Sequence, residues 1–412
     1  MICKEFSVIK MIKKKIRKIS FIFLTLLLSQ LNFAQVNSDD FSFIISSDQR
    51  HHATERYHSS EYTLGGYQAI EKLGKGAFMV VLGDLDPAEA TDNLIKEVMG
   101  DDYLWYPVIG NHDIEDENDM EYLRKFNRGE NTLHNIVNTG PVGCEETTYS
   151  FDWGDYHFVV LNVYYDGKSD KGADGNIVPE LYEWLDKDLS ANTKKYVIVF
   201  GHEPVYPVLD MENGRQRHLG DSLDQYPINT LNFIRLLLKH KVLIYMSGHT
   251  HSASFANFNG LWLINSGHIY GQEGDFTPDK CFDKIDSEMS KEKNVGKDFK
   301  EVIKEMYYEG YETLNKWKEY KKLIFNFGYG DGYNYKNIPD DETLEHLYKF
   351  YSSCKNDKSE IDNYMKLFWD NTEWGKSTFL RIKSADDSPI LEIYRDKDYY
   401  GNYELVKALV LK

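Results

Sequence analysis

The chain has 412 residues, 28% of them charged and 42% hydrophobic, and a formal net charge of −18. A chain this acidic repels nucleic acid and anionic lipid at long range, so local cations would have to hold any anionic substrate. Four cysteines in this length exclude a small scaffold that depends on disulfides, and the apolar content excludes general disorder.

The first predicted element is a leader. Lys4, Lys10, Lys13, Lys14, Lys15, Arg17 and Lys18 precede an apolar run from Ile19 to Leu28, followed by LNFAQ. A basic stretch, a short apolar core and a small residue at Ala34 read as a secretory signal peptide. The run falls well short of the roughly 20 residues that a membrane span needs. Removing residues 1–34 takes away seven basic residues and Glu5, which brings the net charge to −24. The remainder, 35–412, is expected to be secreted or periplasmic, without stable membrane insertion. It keeps Cys144, Cys281 and Cys354, an odd number that leaves a thiol unpaired.

From Phe41 to about Gly267, short apolar strands alternate with helical stretches. The predicted strands are 41–48, 77–84, 106–113, 156–164, 195–203 and 242–251, several of them nearly continuous apolar runs suited to burial on both faces. Residues 181–191 and 228–241 carry apolar side chains at helical spacing. This alternation predicts a layered α/β unit over 35–272. Composition then shifts. Residues 273–375 are rich in Lys, Glu, Tyr and Trp and read as amphipathic helices, with a Gly-Tyr loop at 328–337 whose spacing fails the EF-hand pattern. Aromatic residues such as Tyr307 and Trp317 exceed what a solvated spacer requires, so this insertion is expected to cap or flank the core. Residues 378–383, 389–395 and 403–412 read as closing strands within a last unit, 376–412, that packs on the core.

The predicted strands share one feature: nearly every one ends in a residue able to bind a metal. Asp48 follows Ser46-Ser47, Asp84 follows Gly83, and Asn111 and His112 follow Gly110. His202 follows Gly201, and His249 and His251 follow Gly248. In an open sheet, ligands bind outside the carboxyl ends of the strands, so these ends can converge on one place. Oxygen donors mixed with imidazole nitrogen suit Zn, Mn or Fe better than Ca.

In order, SDQR (47–50), GDLDP (83–87), GNHD (110–113), GHEP (201–204) and GHTH (248–251) resemble the signature of the calcineurin-like metallophosphoesterase superfamily: D-x-H, G-D-x-x-D, G-N-H-[D/E], G-H and G-H-x-H. The resemblance covers roughly residues 41–270, and the linking text looks like that of secreted members. It implies a β-sandwich flanked by helices. It also implies two divalent ions, of Mn, Zn or Fe, about 3.5–4 Å apart, with a bridging hydroxide. Asp84 would bridge them, Asn111, His202 and His249 would complete one site, and Asp48 and His251 would serve the other. His112 would protonate the leaving oxygen or steady the phosphoryl charge.

Two positions depart from that signature. Arg50 stands where D-x-H has its histidine, and an arginine, always protonated, cannot ligate. Gln49, His51 or His52 could take over, or Arg50 could grip phosphate through its planar fork. Pro87 stands where G-D-x-x-D has its second aspartate, with Asp86 one position early. His218, near Arg215 and Arg217, could border the site and read substrate, as could His268; His157, inside a strand, reads as structural. The expected function is metal-dependent hydrolysis of a small phosphate ester, mono- or diester. The alternative is an impaired binding protein of the same fold that has lost one metal and uses its helical segment as a partner surface.

Overall fold

The computed structural model describes residues 41–50, 59–129, 132–211, 217–269, 286, 287, 289–302, 348, 352, 377–385, 388–397 and 401–412. The expected leader, His51, His52, Arg215, Cys281, Cys354 and nearly all of the expected helical insertion lie outside the described residues.

Among the described residues the strands build two mixed sheets. The first contains β1 (Ser42–Ser46), β2 (Met79–Val81), β3 (Trp105–Pro107), β11 (Thr378–Lys383), β12 (Ile390–Asp396) and β13 (Tyr403–Val410), in the order β13-β12-β11-β1-β2-β3. The second contains β4 (Ile136–Thr139), β5 (Tyr149–Trp153), β6 (Tyr156–Val160), β7 (Tyr196–Phe200), β8 (Ile244–Ser247), β9 (Ala253–Phe258) and β10 (Leu261–Ser266), in the order β4-β5-β6-β7-β8-β10-β9. β1, β2 and β3 run parallel, as do β6, β7, β8 and β10.

Alternation along the strands explains the layering, since successive side chains point to opposite faces. Phe43, Ile45, Val80 and Leu82 from the first sheet pack with Phe151, Phe158, Val160, Ile198, Phe200 and Met246 from the second. Rings interlock at this interface; Tyr106 stacks on Phe151 with centroids 3.8 Å apart. Each such side chain contributes about 1.5–3 kcal/mol through its removal from water. The other faces meet helices. Ile44, Met79 and Val81 share a cluster with Tyr67 and Ile70 of α1 (Ser59–Leu73), Ile95 of α2 (Ala88–Met99) and Leu123 of α3 (Glu117–Arg124). Val159, Val197, Val199 and Tyr245 lie in the same cluster as Leu181 and Leu185 of α4 (Pro179–Ala191) and Phe233 and Leu237 of α5 (Pro227–Lys239). Burial on both faces is why these strands read as continuous apolar runs.

The regular strands are shorter than their apolar text. β3 ends at Pro107, and Asn111 and His112 stand in a turn beyond it. The last three strands join the first sheet through β11, which pairs antiparallel with β1. A buried ion pair, Arg395 with Asp210 at 2.7 Å, ties β12 to the chain that follows β7. Asp210 also accepts from the Ala253 backbone N–H at 2.9 Å.

Candidate metal centre

All five motif-bearing turns leave the carboxyl ends of β1, β2, β3, β7 and β8, and backbone hydrogen bonds knit them together. Asp48 N–H donates to Gly83 O at 3.0 Å, Gln49 N–H to Asp84 O at 2.9 Å, and Gly248 N–H to His202 O at 2.9 Å. Two glycines are required here. A Cβ on Gly83, whose φ is +94°, would come within 2.5 Å of His202 Nδ1, and one on Gly248 within 2.7 Å of Asp48 Oδ2. Asp48, Asp84, His249 and His251 all adopt positive φ, between 54° and 67°, as does His218. Non-glycine residues rarely sit there, and such strain persists only where its surroundings enforce it.

The structure brings six of the residues singled out from sequence to one place. Asp48, Asp84 and His251 offer ligand atoms that all lie within 4.8 Å of one another. Asn111 Oδ1 stands 3.2 Å from His202 Nε2 and 3.0 Å from His249 Nδ1, and Asp84 Oδ1 is 3.5 Å from the same His202 nitrogen. Asp84 is common to both groups.

Hydrogen bonds on the far side of each ring decide which lone pairs face inward. His202 Nδ1 donates to Leu82 O at 2.6 Å, and His249 Nε2 to Asp221 O at 3.3 Å. Burial lowers the pKa of both rings, and of His251, below the ordinary histidine range, so each carries one proton. For His202 and His249 that proton is already committed. The inward nitrogens therefore present lone pairs to the oxygens of Asn111 and Asp84, a crowd of donors that a cation reconciles. Asp48 adds to the imbalance. Burial first, and then the charge of Asp84, raise its pKa well above the carboxylate range, and its Oδ1 accepts no hydrogen bond although His251 Nε2 lies 3.1 Å away. Two carboxylates, a carboxamide oxygen and three neutral imidazoles are a donor set that fits borderline divalent ions.

Residues 51–253 match the model of the calcineurin-like phosphoesterase family. This stretch belongs to that family. Among solved structures, the anchor in the inner membrane complex of Plasmodium is 15% identical, with 57% of this chain and 74% of that one covered at a TM-score of 0.38. PhoD is 14% identical, with 57% and 58% covered at 0.40. A putative 5'-nucleotidase from Staphylococcus aureus is 14% identical, with 55% and 48% covered at 0.35. The chain thus spans little more than half of PhoD and about half of the putative nucleotidase. No curated protein matches the sequence. A calcineurin-like phosphoesterase is, in general terms, a metal-dependent phosphoester hydrolase.

The other residues singled out fall around this calcineurin-like centre. His112 is one-quarter exposed, with Nε2 4.0 Å from Asp84 Oδ2 and Nδ1 3.2 Å from Glu115 Oε2. The carboxylate beside its Nδ1 is thus Glu115, and Asp86 is engaged elsewhere, with Arg50. Gln49 is buried; its Nε2 donates to Ser46 Oγ at 2.7 Å, while its Oε1 has no hydrogen-bond partner among the described residues. His218 packs against His249, tilted by 37° with 4.1 Å between ring centroids, and Arg217 donates to His251 Nδ1 at 2.5 Å. His268 lies beneath the centre and donates from Nδ1 to the His251 carbonyl at 3.2 Å.

Asp113, to which its place in GNHD assigned no task, lies under the whole assembly. Its carboxylate accepts from the backbone N–H groups of Asp84 (3.0 Å), Leu85 (2.7 Å) and Gly110 (2.7 Å), and so locks two ligand turns together. The signal was the final aspartate of GNHD. His157, by contrast, is buried far from these groups, between Asp152 at 2.7 Å and Asp188 at 2.8 Å.

Proposed function

We propose that this protein is a secreted or periplasmic metallohydrolase of phosphoric esters that works with two divalent ions. The observation that carries this reading is the convergence of inward-facing lone pairs from Asp84, Asn111, His202 and His249, with Asp48 and His251 on the other side of Asp84. The first four would hold one ion; Asp48, Asp84 and His251 would hold the other, with one protein ligand fewer because Arg50 replaces a histidine. When bound, such ions polarise a phosphoryl group and make a water molecule more acidic.

The chain's own groups then do the rest. Asp113 fixes the backbone of Asp84 and Gly110, so the ligands need little rearrangement to bind. His112, part-exposed at the edge of the cluster, gives a proton to the departing oxygen, and its backbone N–H, 3.1 Å from Asp84 Oδ1, steadies the shared carboxylate. His218 and Arg217 line the opening and meet the substrate.

The deciding experiment is elemental analysis of the purified protein. It would be followed by a panel of chromogenic phosphomonoesters and diesters with added Mn, Zn, Fe or Ca. Two ions per chain and ion-dependent hydrolysis are expected. Arg50 favours one other reading, a binding protein of this fold with one metal lost; one ion or none, without hydrolysis, would establish that instead.

A further inference from the structure

One departure from the family signature, Arg50, meets Asp86, the residue just before the other, 36 positions along the chain. Arg50 Nε lies 3.1 and 3.3 Å from the two carboxylate oxygens of Asp86, with side chains 17% and 26% exposed. Neither change is therefore an isolated loss: the cation that replaced a histidine is held by the carboxylate displaced by Pro87. Asp86 engages only the Nε edge of the guanidinium. The two Nη groups of Arg50 donate to no partner among the described residues. Arg50 stands two positions after Asp48 and Asp86 two after Asp84, and the Gln49 N–H to Asp84 O bond of 2.9 Å joins the two turns, so the pair borders the metal cluster itself.

We propose that Arg50, oriented by Asp86, is the phosphoryl anchor of this centre and selects phosphomonoesters over phosphodiesters. The monoester claim rests on the hydrolase reading above. Oxygen count supplies the reason. A monoester offers three terminal oxygens and close to two negative charges near neutral pH, whereas a diester offers two oxygens and one charge. Two bound ions would engage two of those oxygens, and the guanidinium would need a further one. A monoester satisfies all three cations, while a diester leaves one without a partner. Arginine suits the task because its planar donors match phosphate geometry bidentately. With a net charge of −18, the chain repels such a dianion at a distance, and a fixed local cation offsets that repulsion.

The test compares the wild type with Arg50→Ala, Arg50→Lys and Asp86→Asn, each loaded with the same divalent ion and checked for metal content. Calorimetric titration with inorganic phosphate reads the anchor. Steady-state kinetics on p-nitrophenyl phosphate and bis(p-nitrophenyl) phosphate, which share a leaving group, read the selectivity. Arg50→Ala should weaken phosphate binding about 10- to 100-fold, the scale of a lost charge-assisted pair, with metal content unchanged. Its monoester-to-diester ratio of kcat/KM should fall by about tenfold or more by the same reckoning. Arg50→Lys should recover part of the phosphate affinity, because it keeps the charge without the fork. Asp86→Asn, at a positioning residue, should raise the monoester KM more than it lowers kcat.

Phosphate affinity within twofold of the wild type in Arg50→Ala would overturn the anchor, as would loss of bound metal in that variant. An unchanged ester ratio would overturn the selectivity. A wild type that hydrolyses neither ester would sink the hydrolase reading and the monoester preference with it, whereas the phosphate titration would still decide the anchor.

Discussion

Two buried groups of aspartates and histidines lie toward opposite ends of the parallel strands, and they behave differently. At the amino end of β6, His157 bridges Asp152 and Asp188 through its two nitrogens, and Asp188 also accepts from Asn138 Nδ2 at 2.6 Å and Ser150 Oγ at 2.7 Å. Lys194 Nζ stands 3.6 Å from Asp152. Charges there balance and the named polar atoms find partners. At the carboxyl ends, Asp48 and Asp84 repel each other, imidazole lone pairs face oxygens, and four of the residues hold positive φ. Residue type is the same in both places. What separates a structural cluster from a candidate centre is whether its buried polar atoms find partners within the protein, which Asp48 Oδ1 does not.

The largest effect should come from the residue common to both halves of the centre. Asp84→Asn should lower hydrolysis at least 100-fold with every ion tried, on the scale of a lost major electrostatic contribution. In the wild type, adding a divalent ion at 100 times its Kd should raise the unfolding free energy by about 2.7 kcal/mol. Denaturant titration with and without the ion reads that gain, which Asp84→Asn should largely abolish. A variant keeping a tenth of the activity and the full gain would remove Asp84 from its shared position.

His112→Asn tests a group at the edge of the centre. Metal content should stay the same while turnover falls on the order of 100-fold for esters with poor leaving groups. The loss should shrink as the leaving group becomes more acidic, because less protonation is then needed. An equal loss along a leaving-group series would assign His112 to phosphate positioning instead.

The balanced cluster should respond to pH and ignore metal. Burial works to lower the His157 pKa, but hydrogen bonds to Asp188 and Asp152 outweigh it, and the net shift is upward. A histidine raised in the folded state contributes stability that is complete below its ordinary value of about 6.5 and is lost as pH rises through the raised value. In protein stripped with EDTA, the urea midpoint should therefore fall as pH rises above about 6.5, by more in the wild type than in His157→Gln. Identical pH profiles for the two would show that the bridge contributes nothing that depends on charge.

Much of this molecule could be read in the sequence because its signals are local. Nearly continuous apolar runs marked β1, β2, β6, β7 and β8, helical spacing marked α4 and α5, and ligand-type residues closing the strands, most of them after a glycine, marked the strand ends as one functional edge. Helices α1, α2 and α3 and strands β4, β5 and β9 passed unrecognised. α1 includes Gly65-Gly66, and β4 lies largely exposed, so neither carries a strong apolar period. What sequence could not decide was direction and partnership. Which nitrogen of His202 faces inward depends on the carbonyl of Leu82, 120 positions away; Asp113 matters because three backbone N–H groups from two turns meet on it. Arg50 and Asp86 read separately as two defects and only in space become a pair. Hydrophobic periodicity belongs to a segment, whereas the balance of charge and lone pairs at a site belongs to groups that the fold alone brings together.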